Sequence, residues 1–109
     1  MACLNSNRFS VKVDWKRPGG ESGQGQAIKY TDNSGLYWFF GSDNIELLVK
    51  VLTGCPLSNT YWVFSAATTN VEYTLTVTDT KTGKIKTYFN PQGVSAAAIT
   101  DTNAFATCP

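Results

Sequence analysis

Residues 8–15, Arg8-Phe-Ser-Val-Lys-Val-Asp-Trp15, alternate apolar and polar side chains without a break. Successive side chains of a strand point to opposite faces, so Phe9, Val11, Val13 and Trp15 share one face, and Ser10, Lys12 and Asp14 share the other. This is the pattern of a strand with one buried and one solvated side. It returns at 71–78, where Val71, Tyr73, Leu75 and Val77 alternate with Glu72, Thr74, Thr76 and Thr78. Further strands read at 25–31, 35–40, 45–52, 60–65 and 84–89. The tail, 94–109, has room for a last one with Ile99 and Phe105 as anchors. Residues 45–52 resemble a helix at first sight, but their β-branched content and period of two favour a strand. Polar turns separate these segments: Thr-Asp-Asn-Ser-Gly at 31–35, Gly-Ser-Asp-Asn at 41–44, Asp-Thr-Lys-Thr-Gly at 79–83 and Asn-Pro-Gln-Gly at 90–93. About seven short strands between turns, with no helical stretch, predict an all-β domain. The expected form is an antiparallel β-sandwich of Ig-like or fibronectin-like type.

Two segments break the alternation. Gly35-Leu-Tyr-Trp-Phe-Phe and Thr60-Tyr-Trp-Val-Phe are apolar on both faces. Set side by side in one sheet, they would turn one face to the core and leave the other to be covered or exposed. Cover by the tail, residues 94–107, is the expected arrangement. If the face stays open, Tyr37, Trp38 and Trp62 are the candidate ligand-binding residues, because flat sugar rings stack on exposed aromatic faces.

With 109 residues, 42% of them hydrophobic, the chain suits a single globular domain, 1–109. A net charge of +1 and scattered basic residues provide no field for nucleic acid or an anionic membrane. No run of 18 apolar residues is present, so no helix is expected to insert in a membrane. Met1-Ala2 leads directly into Cys3 and polar residues, without the apolar core of a secretory signal. Cys3, Cys55 and Cys108 nevertheless point to an oxidising compartment. A cysteine at the second-to-last position seldom packs in a core, and a covalent staple to another segment explains it. Abundant Thr, Ser, Asn and Gly fit the same compartment. The chain therefore reads as a secreted or cell-surface domain excised from a longer protein, with Met1 foreign to it. Three cysteines leave one thiol without a partner.

The sequence contains no histidine, which excludes Ser–His and Cys–His nucleophile pairs within the chain. Ser42-Asp-Asn44 and Lys81-Thr-Gly83 match two β-lactamase signatures, but no Ser-x-x-Lys accompanies them. The eight acidic residues, spread over strand faces and turns, offer no facing carboxylate pair. No enzymatic activity and no cofactor are expected. Calcium is the one metal that suits the residues, with Asp32, Asp43 and Asp101 as candidate ligands in or near turns. A Lys–Asn crosslink is not expected, because Lys12 and Lys50 alternate with apolar residues and should point outward.

Taken together, Cys3-Leu-Asn with Arg8-Phe, the 35–40 segment, Asn44-Ile-Glu-Leu-Leu-Val-Lys-Val-Leu52, Tyr61-Trp-Val-Phe64, Asn70-Val-Glu-Tyr-Thr-Leu-Thr-Val-Thr-Asp79, Tyr88-Phe-Asn-Pro-Gln-Gly93 and Asp101-Thr-Asn-Ala-Phe-Ala-Thr-Cys-Pro109 resemble an Ig-like module of secreted bacterial multidomain proteins. The resemblance spans nearly the whole chain and brings no activity with it. Such modules carry a further cysteine just before the position of Cys3, and its absence here accounts for the odd number. One disulfide is expected to anchor the tail, with Cys55–Cys108 preferred to Cys3–Cys108. The expected function is a non-catalytic extracellular interaction, adhesion or spacer module for an unknown extracellular protein or glycan. The alternatives are a carbohydrate-binding module, or a protease inhibitor that inserts the glycine-rich loop at 18–25.

Overall fold

The computed structural model describes Met1–Pro109. Its elements are β1 (Ala2–Leu4), β2 (Phe9–Lys16), β3 (Ser22–Gln24), β4 (Gln26–Thr31), β5 (Ser34–Trp38), β6 (Ile45–Thr53), a one-turn α1 (Cys55–Ser58), β7 (Tyr61–Ala67), β8 (Glu72–Asp79), β9 (Ile85–Asn90) and β10 (Ile99–Phe105). They form an antiparallel sandwich of two five-stranded sheets, with ten strands where the sequence predicted about seven.

The first sheet runs β1-β2-β8-β9. β8 takes one whole edge of β2, pairing from Phe9↔Asp79 to Lys16↔Glu72. The other edge of β2 is shared: β1 pairs with its first residues and β3 with its last. The glycine-rich loop is therefore partly structured. It turns between Arg17 and Glu21 and returns as β3, where Gly23 lies against the Trp15 indole; a Cβ there would come within 2.6 Å of Trp15 Cζ2. The second sheet runs β10-β7-β6-β5-β4, a consecutive meander with the tail strand added beside β7. The two doubly apolar segments are thus not neighbours, because β6 lies between β5 and β7.

The core follows the alternation. Phe9, Val11 and Val13 from β2 and Tyr73, Leu75 and Val77 from β8 meet Tyr37 and Phe39, then Leu47, Val49, Val51, Tyr61 and Val63 of the opposite sheet. Full burial of a side chain of this kind contributes about 1.5–3 kcal/mol. Tyr37 satisfies its phenol by donating to the Val11 carbonyl at 2.9 Å. Burial raises its pKa, with the nearby Cys3 adding to the shift.

One polar group lies deep in this core. Asp79, 0% exposed, accepts from Arg8 Nε at 3.1 Å and from a terminal guanidinium nitrogen at 3.0 Å. Burial alone would push its pKa up. The bonds from Arg8 and the Lys81 amide outweigh burial and hold the carboxyl well below the usual range. The same guanidinium donates to Tyr61 Oη at 3.0 Å and to the Thr107 carbonyl at 2.7 Å. Arg8 thereby ties both sheets and the tail together.

The tail departs from expectation. It does not lie over the outer face of β5–β7 but joins the sheet edge-on, pairing Ile99↔Ser65 through Asp101↔Val63 and, past a bulge, Phe105↔Tyr61. Phe105 points into the core, its ring centroid 5.1 Å from that of Phe9. The physical reason is hydrogen bonding: an uncovered β7 edge leaves its backbone groups unpaired, and a strand satisfies them where a loop laid across side chains would not. Cys108 is bonded to Cys55, as expected, and Cys3 is free.

Candidate interaction surface

Because the tail goes to the edge, the outer face of the second sheet is open. Residues there alternate with the core residues of the same strands, so their positions follow from the pairing. Ile28, Leu36, Leu48 and Ala66 form one row across β4, β5, β6 and β7. Ser34, Lys50, Phe64 and Thr100 form the next, and Leu52 and Trp62 a third. Tyr30, at the end of β4, is 72% exposed. None of these apolar side chains packs against the core cluster.

The face is not smooth. One depression of about 580 Å³ lies among Tyr30, Leu36, Leu48, Lys50 and Leu52. A second, of about 230 Å³, lies among Leu48, Lys50, Phe64, Ala98 and Thr100. Leu48 and Lys50 form the ridge between them. Lys50 stands on the middle strand, has no carboxylate partner, and places its ammonium 5.6 Å from the centre of the Phe64 ring. Trp62 and Phe64 lie nearly parallel, 5.9 Å apart and 11° from coplanar. Gly54 allows this: a Cβ there would collide with the Trp62 indole, whose Nε1 instead donates to Ser58 Oγ at 2.8 Å.

The structure separates the three residues proposed for ligand binding. Tyr37 is a core residue and presents nothing to solvent. Trp38 and Trp62 share the outer face but pair with opposite ends of β6, at Ile45 and Leu52. Seven residues at about 3.3 Å each put them roughly 23 Å apart. They do not form one platform. Leu36, Leu48, Lys50 and Phe64, which the sequence reading did not single out, occupy the centre. Their signal was present in the alternate residues Leu48, Lys50 and Leu52, which are more apolar than a solvated face needs to be.

The candidate calcium ligands are likewise dispersed, and no three acidic, histidine or cysteine side chains gather anywhere. Asp32 accepts from the Ser6 amide at 3.2 and 3.0 Å and faces Lys29. Asp43 sits in the loop at the far end of β5. Asp101 closes the seam between the sheets, accepting from Tyr88 Oη at 2.7 Å with Lys86 at 3.7 Å. Burial would raise the Asp101 pKa, but these contacts lower it overall, while burial and the same bond raise that of Tyr88.

Comparison with protein-family models, with curated proteins and with solved structures finds no match to this chain.

Proposed function

We propose that the chain is a secreted or cell-surface, non-catalytic Ig-like module that docks a polypeptide partner on the outer face of the second sheet. The observation that carries this reading is the row Ile28–Leu36–Leu48–Ala66 with Phe64 and Trp62 beside it, an apolar surface that the tail leaves open. Contiguous exposed apolar area of this kind marks an interaction site more often than a bare monomer surface. Lys50 specifies the partner. It is an unpaired cation at the middle of an apolar face, matched by a partner that brings an acidic side chain among apolar ones. A second copy of the chain fits less well, since a two-fold axis through the centre of the face would set Lys50 against Lys50. The Cys55–Cys108 bond supports an oxidising compartment.

The test is a peptide-display selection on the immobilised domain. Selected peptides should combine apolar residues with Asp or Glu, lose binding to Leu48→Asp and Lys50→Glu, and regain it on Lys50→Glu when their acid is changed to lysine. Peptides that bind all three proteins equally would refute the docking surface. The parallel Trp62 and Phe64 rings favour a second reading, a stacking site for sugar rings. Retardation of the domain by a soluble polysaccharide on a native gel, abolished by Trp62→Ala, would select that reading instead.

A further inference from the structure

Glu46 breaks the alternation of β6. Strict alternation would place it with Leu48 and Lys50 on the outer face. Instead a bulge intervenes: Tyr37 pairs with Leu47 and Trp38 with Ile45, and Glu46 has no opposite residue. Bulges re-aim side chains, and beside this one Glu46 is 5% exposed as a residue. Its carboxylate makes no hydrogen bond and no ion pair within the chain. Most of the side chain is covered, while the carboxylate oxygens keep contact with solvent.

One of the openings that Glu46 lines is a cleft. At the end of the sandwich where the β5–β6 loop, the β7–β8 connection and the segment before β10 meet, a cleft of about 530 Å³ is bordered by Phe40, Asn44, Glu46, Thr69, Asn70 and Ser95. That volume suits a small ligand. Glu46 is the only charged residue on its walls. The side chains of Asn44, Asn70 and Ser95 make no hydrogen bonds within the chain, so their oxygens and amide groups are free for a ligand. Phe40 is held as a wall by Arg17, whose guanidinium carbon lies 3.8 Å from its ring centre. Arg17 is itself paired with Glu21 at 2.9 Å.

We infer that this cleft binds a primary ammonium group carried on a polar molecule, with Glu46 as its counter-ion. An ammonium has three donors, which one carboxylate and the neighbouring neutral oxygens can accept together. A single carboxylate among neutral groups matches one positive charge better than the two of calcium, whose sites use several oxygen ligands at close range. Glu46 also borders a depression beside Leu48 and Ala66, so the site adjoins the docking face, but it does not depend on that face.

Two sources of the group are separable by titration of the ¹⁵N-labelled domain with glucosamine, for an amino sugar, and with Nα-acetyl-lysine methylamide, for a lysine side chain. Amide shifts are expected at Asn44–Glu46, at 68–70 and at Ser95 with at least one probe, and acetylation of the amine should abolish them. Glu46→Gln, checked for folding by its melting curve, should weaken binding by about tenfold or more, the loss of a charge-assisted bond worth about 1.4 kcal/mol. Should that variant not fold, Asn70→Asp provides the complementary test, and its second carboxylate should strengthen binding. Absence of shifts with both probes, equal binding of the acetylated forms, or the same shifts produced preferentially by calcium would overturn the assignment.

Discussion

Removing the Asp79 carboxylate tests the account of what holds the two sheets and the tail together. In Asp79→Ala, Arg8 keeps only Tyr61 Oη and the Thr107 carbonyl as acceptors. Breaking a buried ion pair by deleting one partner costs about 3–5 kcal/mol, because the other charge stays uncompensated. The Arg8 side chain is 14% exposed, so water reaches the guanidinium and the lower end, about 3 kcal/mol, is expected. At roughly 2.1 cal/mol/K per residue, the unfolding entropy of the 109-residue chain is about 0.23 kcal/mol/K, and Tm should fall by about 13 °C. With a urea slope of about 1.5 kcal/mol/M, the unfolding midpoint should drop by about 2 M. The double variant Arg8→Met/Asp79→Leu replaces the pair with apolar groups and should recover most of the loss. A loss below about 1 kcal/mol in the single variant, or a double variant no better than the sum of Arg8→Met and Asp79→Leu, would refute the reasoning.

Two further outcomes follow from the covalent and titrating groups. Reduction of Cys55–Cys108, or the Cys55→Ser/Cys108→Ser variant, should cost about 2–4 kcal/mol and lower the melting temperature by about 9–17 °C; an unchanged melt in reductant would remove the staple. Acid should destabilise the domain in a defined window. Asp79 and Asp101 are held below the ordinary carboxylate value, so the unfolded chain takes up protons first. Stability is then full above about pH 4 and falls as pH drops below it, and Asp79→Asn should flatten that fall. At the other extreme, the phenols of Tyr37, Tyr73 and Tyr88 are held above their ordinary value, so stability should be lost as pH rises past about 10. A melting temperature that stays level across either window would contradict these assignments.

How much of this was legible in the sequence depended on the length and regularity of each signal. β2 and β8 were plain because eight-residue alternation has one physical reading, and their pairing makes the spine of the first sheet. β1 and β3, with three residues each, are too short to show a period; their strand state comes from the β2 edge they complete. The tail anchors Ile99 and Phe105 were identifiable as apolar residues, but edge pairing is a backbone matter that side-chain pattern does not encode. For the surfaces, the apolar outer face was visible as an excess of large residues at 35–40 and 60–64. Which of them face outward was not, and Tyr37 fell on the core side. Glu46 was hidden most completely, since a bulge is a one-residue change of register that leaves composition and spacing untouched.

The bond between Cys55 and Cys108 also decides how the domain carries load. A pull applied at the two ends of this chain travels from residue 1 to Cys55, crosses the sulfur bridge, and leaves through Cys108 and Pro109. The residues between the cysteines, 53 positions apart, with β7 to β10 among them, lie on a branch that bears no tension. Fully drawn out, that branch would add about 180 Å to the contour length. With the bridge closed, even complete mechanical unravelling of β1 to β6 leaves that length locked, and a force–extension trace should lengthen by this amount on reduction. In the oxidised domain the extensible length is thus set covalently near the middle of the chain.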